Sequence, residues 1–218
     1  MRLDPLLGAV LGVTLWLGMV LTTALVVQRT TTADPEIIRK IVHMGTGNVI
    51  LLAWWWQVPT WMGVTAAVLA ALVTLISYWV PLVPGIDSVQ RRSGGTFFYA
   101  VSIGVLMAWF WPQGNYQYTV LGILIMVWGD GLAAVVGKRW GKHPYALLGI
   151  HKTWEGSLTM AGVSGLVAVG VLGWTPLVLV VAVGAAILEI FSYYGLDNLT
   201  VPLGTAGLAF WWQNLWLG

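Results

Sequence analysis

The sequence has no cysteine and very little charge, and each shortage excludes a class of structure or site. Without cysteine among its 218 residues, the chain can form no disulfide, no thiolate metal site and no cysteine nucleophile. Only 8% of the residues are charged, against about 25% in an average soluble domain. The formal net charge of +2 is small, so we expect no nucleic-acid partner.

Apolar residues, by contrast, make up 58% of the chain. A soluble fold cannot hide that much apolar surface, so the sequence predicts a lipid bilayer as the solvent. A helical span needs about 20 apolar residues, which leaves room for about seven spans once loops are subtracted. We therefore predict one integral membrane domain over residues 1–218, an all-α polytopic helix bundle. Its first apolar run is too long for the core of a signal peptide, which favours a retained span.

Seven apolar segments follow one another along the chain. They cover residues 6–27, 41–58, 60–83, 97–112, 118–137, 157–173 and 175–194. A weaker apolar tail at 199–216 leaves three interpretations open: an eighth helix, a re-entrant segment or an interfacial helix. Long continuous runs favour helices over a barrel, because barrel strands alternate in polarity at every second residue.

The loops between these segments alternate strictly between charged and uncharged. Nine of the ten Lys and Arg residues lie in loops on one side, with Arg2 the exception. By the positive-inside rule that side is cytoplasmic, and the N-terminus lies outside. A site built on the charged loops is therefore expected on the cytoplasmic face.

Four groups of polar residues stand out where charged loops meet apolar segments. In the first, Arg39 and His43 are four residues apart and share a helical face, with Lys40 beside them. Cationic groups next to small residues could receive an anionic headgroup or a phosphate. A membrane histidine could instead only hydrogen-bond a neighbouring helix.

The second group centres on Asp130, well inside the fifth apolar segment. An acid at mid-membrane costs about 2.5–3.5 kcal/mol on insertion scales, so it usually has a partner or a function. Small residues follow it at helical spacing, and the stretch ends in Lys138, Arg139 and Lys142. Such a pattern suits a metal-bound polyphosphate, with the acid towards the cation and the bases towards the phosphates. The alternative is a helix interface with a solvated basic end.

The third group, Lys152, Thr153 and Glu155, lies just before the sixth segment. Free backbone N–H groups at a helix N-terminus suit an anion. Thr153 and Glu155 could instead only cap the helix.

The fourth group begins with Glu189, a second costly membrane acid near the end of the seventh segment. Asp197 and Asn198 follow in a turn and offer oxygen ligands on the same membrane face. Ordinary turn chemistry is the alternative for these two residues.

In order and approximate spacing, these groups resemble the dolichol kinase and phytol kinase family, membrane enzymes that phosphorylate isoprenoid alcohols, commonly with CTP. The matching residues, between about 36 and 203, are Arg39-Lys40 with His43 and Gly47, Gly129-Asp130 with Ala133, Gly137 and Gly141-Lys142, Lys152-Thr153 with Glu155-Gly156, and Glu189 with Asp197-Asn198-Leu199-Thr200 and Pro202. The stretch from Asp130 to Glu155 is also similar to phosphatidate cytidylyltransferases. It departs from them at Gly129, where their signature has serine, and in its single lysine before Thr153.

The resemblance implies transfer of the terminal phosphate of CTP, or another nucleoside triphosphate, to a prenyl alcohol. Asp130 and Asp197 would then hold Mg²⁺, with Glu155 a further candidate. The nucleotide phosphates would be bound by Lys138, Arg139, Lys142, Lys152 and Thr153. The alcohol or its new phosphate would be bound by Arg39, Lys40, His43 and Asn198. Glu189 is the candidate base, and the catalytic set comprises Asp130, Lys152, Glu155 and Glu189.

Three other functions compete with the kinase: a CTP-dependent cytidylyltransferase acting on a phospholipid, a transporter and a structural subunit. Intramembrane acids are common on ion pathways. Here, however, the acids gather towards one face and the sequence has no inverted repeat. A structural subunit would need no acid within a span.

Overall fold

The computed structural model describes residues 5–32, 34–77, 94–147 and 149–216. Helices dominate this part of the chain, and a single short hairpin accompanies them there. The α-helices are α1 (Pro5–Thr30), α2 (Pro35–Gly47), α3 (Val49–Trp55), α4 (Thr60–Ser77), α5 (Gly95–Phe110), α6 (Tyr116–Leu124), α7 (Gly131–Trp140), α8 (Trp154–Leu172), α9 (Leu177–Ile190) and α10 (Asp197–Trp216). The hairpin strands are β1 (Pro144–Leu147) and β2 (Ile150–Thr153), and 3₁₀ turns cover Trp111–Gln113 and Tyr193–Gly195.

The core of the bundle is one long helix that runs from Tyr116 to Trp140. It consists of α6, a π-helical segment at Ile125–Asp130, here called the π turn, and α7. Leu121, Ile123 and Val127 along it are fully buried. A helix that is apolar all round packs in the interior of a bundle, which explains the central position of this one. Asp130 is the last residue of the π turn, and such turns occur frequently at functional sites.

The second predicted segment, 41–58, begins too late and is divided. Its first helix, α2, starts at Pro35, where the Asp34 side chain caps the helix by accepting from the Glu36 amide at 2.8 Å. The first turns of α2 are polar on one side, so an apolar run does not reveal them. The helix is interrupted at Asn48, whose Oδ1 accepts a hydrogen bond from Trp128 Nε1 at 2.9 Å.

Peripheral helices expose large apolar side chains on their outer faces. Leu15 of α1 is 73% exposed and Leu166 of α8 is 74% exposed. Such surfaces suit lipid, and the predicted all-α membrane bundle is confirmed. Within the described residues, five stretches have the length and composition of a span: Leu6–Thr30, Thr60–Ser77, Gly95–Gln113, Tyr116–Trp140 and Trp154–Leu172. The seventh predicted segment forms the shorter α9, so the count of seven spans stays a prediction.

Two features at the ends of segments differ from the expectation. The charged loop before α8 contains the hairpin, in which Tyr145 pairs with Lys152. The apolar tail forms α10, which starts at Asp197 and buries Thr205, Ala206 and Ala209 completely. The tail is therefore helical, but α10 is not among the described stretches with the length and composition of a span, so its relation to the membrane stays open.

Positions 78–83 of the third segment lie outside the described residues.

Candidate active site

A buried ion pair joins Asp130 to α2. Lys40 Nζ lies 2.5 Å from Asp130 Oδ2, and Lys40 is only 3% exposed. Gly131 makes this close approach possible, because a Cβ there would lie 2.8 Å from the Met44 side chain. A carboxylate inside an apolar bundle needs a partner, and Lys40 provides it. The sequence grouped Lys40 with the substrate-binding residues, whereas the structure places it on the acid.

His43 lies one turn further along α2, beside the same carboxylate. Its Nε2 is 3.8 Å from Asp130 Oδ2, is buried and has no hydrogen-bond partner. Tyr99 of α5 packs on the imidazole with ring centroids 4.9 Å apart. The Tyr99 hydroxyl donates to the His43 carbonyl at 3.3 Å and lies 3.2 Å from Thr46 Oγ1. Sequence reasoning missed Tyr99, since nothing in its apolar run marks it.

A second ion pair connects the hairpin to α9. Lys152 Nζ on β2 donates to Glu189 Oε1 in the last turn of α9. Glu189 is 4% exposed, and its other oxygen, Oε2, is buried without a hydrogen-bond partner. The hairpin therefore turns Lys152 inwards, towards an acid that is 37 residues away in sequence.

Asp197 and Asn198 approach the same place from the start of α10. Asp197 Oδ1 accepts from the Asn198 backbone N–H at 3.1 Å, and the carboxylate lies close enough to Asp130 and Lys152 to feel their charges. Asn198 Oδ1 is buried and has no partner. Gly195 fixes this turn: its φ is +85°, and a Cβ there would lie 2.6 Å from the start of α5. Asp130, Lys152 and Asp197 therefore lie in one region of the bundle, within range of one another's charges.

Arg39 lies at the edge of this cluster. It forms an ion pair with Glu36 one turn earlier on α2, with 3.0 Å between Arg39 Nε and Glu36 Oε2. Its side chain is 44% exposed. The charges of Asp130 and Asp197 also act on the guanidinium. Arg39 therefore lies between the buried acids and the exposed surface of the protein.

The basic end of α7 is more exposed than the buried cluster. Lys138 pairs with Asp34, and the two side chains are 59% and 41% exposed. The Lys138 hydrogen bond, helped by the Glu36 amide, lowers the pKa of Asp34, so this carboxylate is ionised at neutral pH. Arg139 lies over the Trp140 ring, 5.3 Å from its centroid, and Lys142 is exposed.

Thr153 and Glu155 organise the start of α8. Thr153 Oγ1 accepts from the Gly156 amide at 3.2 Å, which is the capping role. Glu155 Oε1 lies 2.6 Å from His143 Nδ1, so its contacts are with the loop after α7 and not with the buried acids. The small residue Gly137 lets α7 approach, since a Cβ there would lie 2.9 Å from Thr153 Oγ1. The small-residue stripe thus serves a helix interface.

The carboxylate and amide oxygens of the cluster are of the chemical type that binds magnesium. Two carboxylates, Asp130 and Asp197, and the unpartnered Asn198 Oδ1 are ligands of the type that Mg²⁺ prefers. No three His, Asp or Glu side chains form a ready metal cage in the part of the chain that the structure describes. Mg²⁺ is usually held by one or two carboxylates together with substrate phosphates, so a complete cage is not required.

An apolar cavity of about 580 Å³ opens on the outer side of the central helix. The Asn48–Trp128 hydrogen bond lies at this cavity, which is otherwise almost entirely apolar. Trp128 precedes Asp130 by two residues, and Asn48 follows His43 by five. The remaining lining residues are Trp16, Leu51, Leu52, Leu124, Val163, Leu166 and Val167.

Comparison with known proteins identifies relatives that cover most of the chain. A phytol kinase from Synechocystis sp. is 49% identical over 211 residues, which is 93% of this chain and 91% of that protein. A chloroplastic farnesol kinase from Arabidopsis thaliana and a probable chloroplastic phytol kinase 1 from Glycine max are each 28% identical over 206 residues. The chain spans 64% and 65% of the length of these two plant proteins. No protein-family model and no solved structure matches. Identity of 49% over nearly the whole of both chains confirms the resemblance: the chain belongs to the phytol kinase family.

Proposed function

We propose that this chain is a membrane kinase that transfers the terminal phosphate of a nucleoside triphosphate, CTP by family resemblance, to an isoprenoid alcohol such as phytol. The product would be the prenyl monophosphate. The observation that carries the proposal is that the charges of Asp130 and Lys152 act on Asp197, at one end of a chain that is 49% identical to a phytol kinase. The named relatives are kinases, which favours transfer to an alcohol over cytidylyl transfer to a phospholipid.

Phosphoryl transfer depends mainly on positioning and on neutralising the phosphate charge. Asp130 and Asp197, with Asn198 Oδ1 beside them, would hold Mg²⁺, which when bound neutralises charge on the phosphates. Lys152 lies in the same cluster and would contact the transferred phosphate. The exposed Lys138, Arg139 and Lys142 would attract the rest of the nucleotide from the cytoplasmic side.

The alcohol would approach from the α2 side of the cluster. His43 Nε2 is buried and unpartnered, so it can exchange a hydrogen bond with the substrate hydroxyl. Arg39 at the edge would hold the new phosphate. Glu189 Oε2 is also unpartnered and stays the candidate base, although Lys152 already pairs with the other oxygen of this carboxylate.

The isoprenoid tail needs an apolar site that lipid-soluble substrates can enter from the side. The cavity beside Trp128 and Leu166 has an apolar lining and a volume of about 580 Å³, within the usual range for ligand pockets. Its wall includes Asn48 and Trp128, which belong to the same two chain segments as His43 and Asp130. We place the tail there.

Incubation of the purified protein with phytol and CTP labelled at the terminal phosphate tests the proposal. Label that moves into the lipid phase as phytyl phosphate is the expected result. Ion flux from proteoliposomes without label transfer would support a transporter instead. Release of pyrophosphate with the cytidylyl group on a lipid would support the cytidylyltransferase.

A further inference from the structure

We infer that Lys40 occupies, in the nucleotide-free protein, the place beside Asp130 that a divalent cation takes once nucleotide is bound. Metal binding would then depend on nucleotide, because the phosphates must first draw Lys40 away. The inference rests on the proposed function, since it takes a metal–nucleotide complex as the ligand.

The geometry of the ion pair supports this role. Lys40 Nζ is 2.5 Å from Asp130 Oδ2, and the two side chains are only 4% and 12% exposed. An ammonium at this distance blocks that oxygen, because a cation bound to it would meet the positive charge of Lys40. The flexible four-carbon stem of lysine allows the ammonium to swing to a new acceptor without movement of the α2 backbone.

The charges of the cluster show why metal and nucleotide should bind together. Among the described residues, Lys40 pairs with Asp130, Lys152 pairs with Glu189, and Asp197 has no ion pair. A divalent ion alone would add positive charge beside Lys40, and a triphosphate alone would add negative charge beside three carboxylates. When both enter, the phosphates can take Lys40 and Lys152 while the metal takes Asp130 and Asp197.

A purely structural ion pair would behave differently. If Lys40 only compensated a buried charge, it would stay on Asp130 in every state. The phosphates of a nucleotide would still add ligands to the metal, but the loss of Lys40 would lower stability without creating a metal site that forms in the absence of nucleotide.

Binding of Mn²⁺ to the full-length protein in detergent, followed by electron paramagnetic resonance, separates the two cases. For the unaltered protein we expect a non-hydrolysable CTP analogue to tighten Mn²⁺ binding by about tenfold or more, a usual size for coupled sites. Lys40→Gln should bind Mn²⁺ tightly without the analogue. Adding Asp130→Asn to that variant should remove the gain.

Two variants serve as matched controls. Lys40→Arg keeps the positive charge on Asp130 and should show no gain. Lys138→Gln removes one positive charge from the exposed end of α7 and should also show none. If Lys40→Gln fails to fold, Lys40→Met, which puts an uncharged side chain of similar length in the same buried position, replaces it. A folded Lys40→Gln or Lys40→Met protein that binds Mn²⁺ no more tightly than the unaltered protein in the absence of the analogue would overturn the inference. Equal Mn²⁺ affinity of the unaltered protein with and without analogue would overturn the inference.

The binding assay needs no alcohol and no phosphate transfer. A protein that shows the nucleotide dependence but transfers no label to phytol would contradict the proposed function and leave the role of Lys40 intact. A protein that phosphorylates phytol but binds Mn²⁺ equally well with and without the analogue would contradict the role of Lys40 and leave the proposed function intact.

Discussion

Asp130 is an acid within an apolar helix, and a lysine from a distant segment of the chain pairs with it. Replacing it with Asn should abolish label transfer, because the proposed metal site loses a carboxylate ligand. It should also destabilise the fold by about 3–5 kcal/mol, because Lys40 is left as an unpaired buried charge. Label transfer to phytol and thermal unfolding in detergent measure the two effects.

Asp34→Asn is the control for that variant, since it makes the same chemical change on an exposed acid that pairs with Lys138. The Asp34→Asn protein should insert into the membrane, fold and retain label transfer. Full activity of a membrane-inserted Asp130→Asn protein would refute the metal role.

Removal of the Tyr99 hydroxyl tests whether the alcohol binds beside His43. Tyr99→Phe keeps the ring against His43 but removes the hydrogen bonds to the His43 carbonyl and to Thr46. We expect the KM for phytol to rise about twofold to tenfold, the size of one or so lost hydrogen bonds, while the KM for CTP stays the same. If the KM for phytol and the KM for CTP rise equally, the variant disturbs the whole site, and Tyr99 has no specific role beside the alcohol.

Sequence reasoning located acids and bases better than it paired them. Because a carboxylate in a membrane span costs free energy, Asp130 and Glu189 could be identified from the sequence alone. Their partners, Lys40 and Lys152, were known only as members of basic groups, because an ion pair over 90 residues leaves no local signal. Tyr99 carries no signal at all, since a tyrosine within an apolar run is ordinary.

Among the elements, the contact between α6 and α10 positions Asp197. A Cβ at Gly122 would lie 2.4 Å from the Pro202 carbonyl oxygen and 3.2 Å from Ala206. Gly122→Ala should therefore push α10 away from the central helix, lower stability by about 1–3 kcal/mol and reduce kinase activity. Circular dichroism during heating and label transfer are the measurements.

Gly162 of α8 offers a matched control, because a Cβ there meets no atom within 4 Å. Gly162→Ala should be neutral or stabilise the helix by up to about 1 kcal/mol. If both alanine variants behave alike, close packing of α10 does not matter for the site.

If the isoprenoid tail lies in the cavity beside α8, filling the cavity should affect long alcohols more than short ones. Leu166→Trp should fill part of the cavity, so the KM for phytol should rise while the KM for a short alcohol such as geraniol changes little. Leu179→Trp, on the 71% exposed outer face of α9, adds the same bulk outside the cavity and should change neither constant. Identical constants for Leu166→Trp and the unaltered protein would place the tail elsewhere.

Element boundaries show where apolar patterning stops being informative. The central helix was predicted as 118–137 and extends from Tyr116 to Trp140, because its apolar run marks it well. The start of α2 was missed, since its first turns contain Glu36, Arg39 and Lys40 and form no apolar run. The hairpin was missed too, because ten residues of mixed polarity contain no run that distinguishes strand from loop.

At the scale of the whole molecule, the central helix organises the site. Its π turn presents Asp130, and four other segments bring Arg39, Lys152, Glu189 and Asp197 to it from one end of the bundle. The alternation of charged and uncharged loops predicts that this end faces the cytoplasm, where nucleotide is available. A reversed orientation would separate the site from the proposed nucleotide donor.

The absence of cysteine makes that orientation directly measurable. A single cysteine can be introduced at His151, in the hairpin, or at Gln113, in the uncharged loop after α5, and both side chains are exposed. A membrane-impermeant thiol reagent should label Gln113→Cys in intact cells and His151→Cys only after the cells are opened. The cysteine-free parent controls for background labelling. Labelling of His151→Cys in intact cells, with Gln113→Cys protected, would place the site outside and contradict the use of cytoplasmic nucleotide.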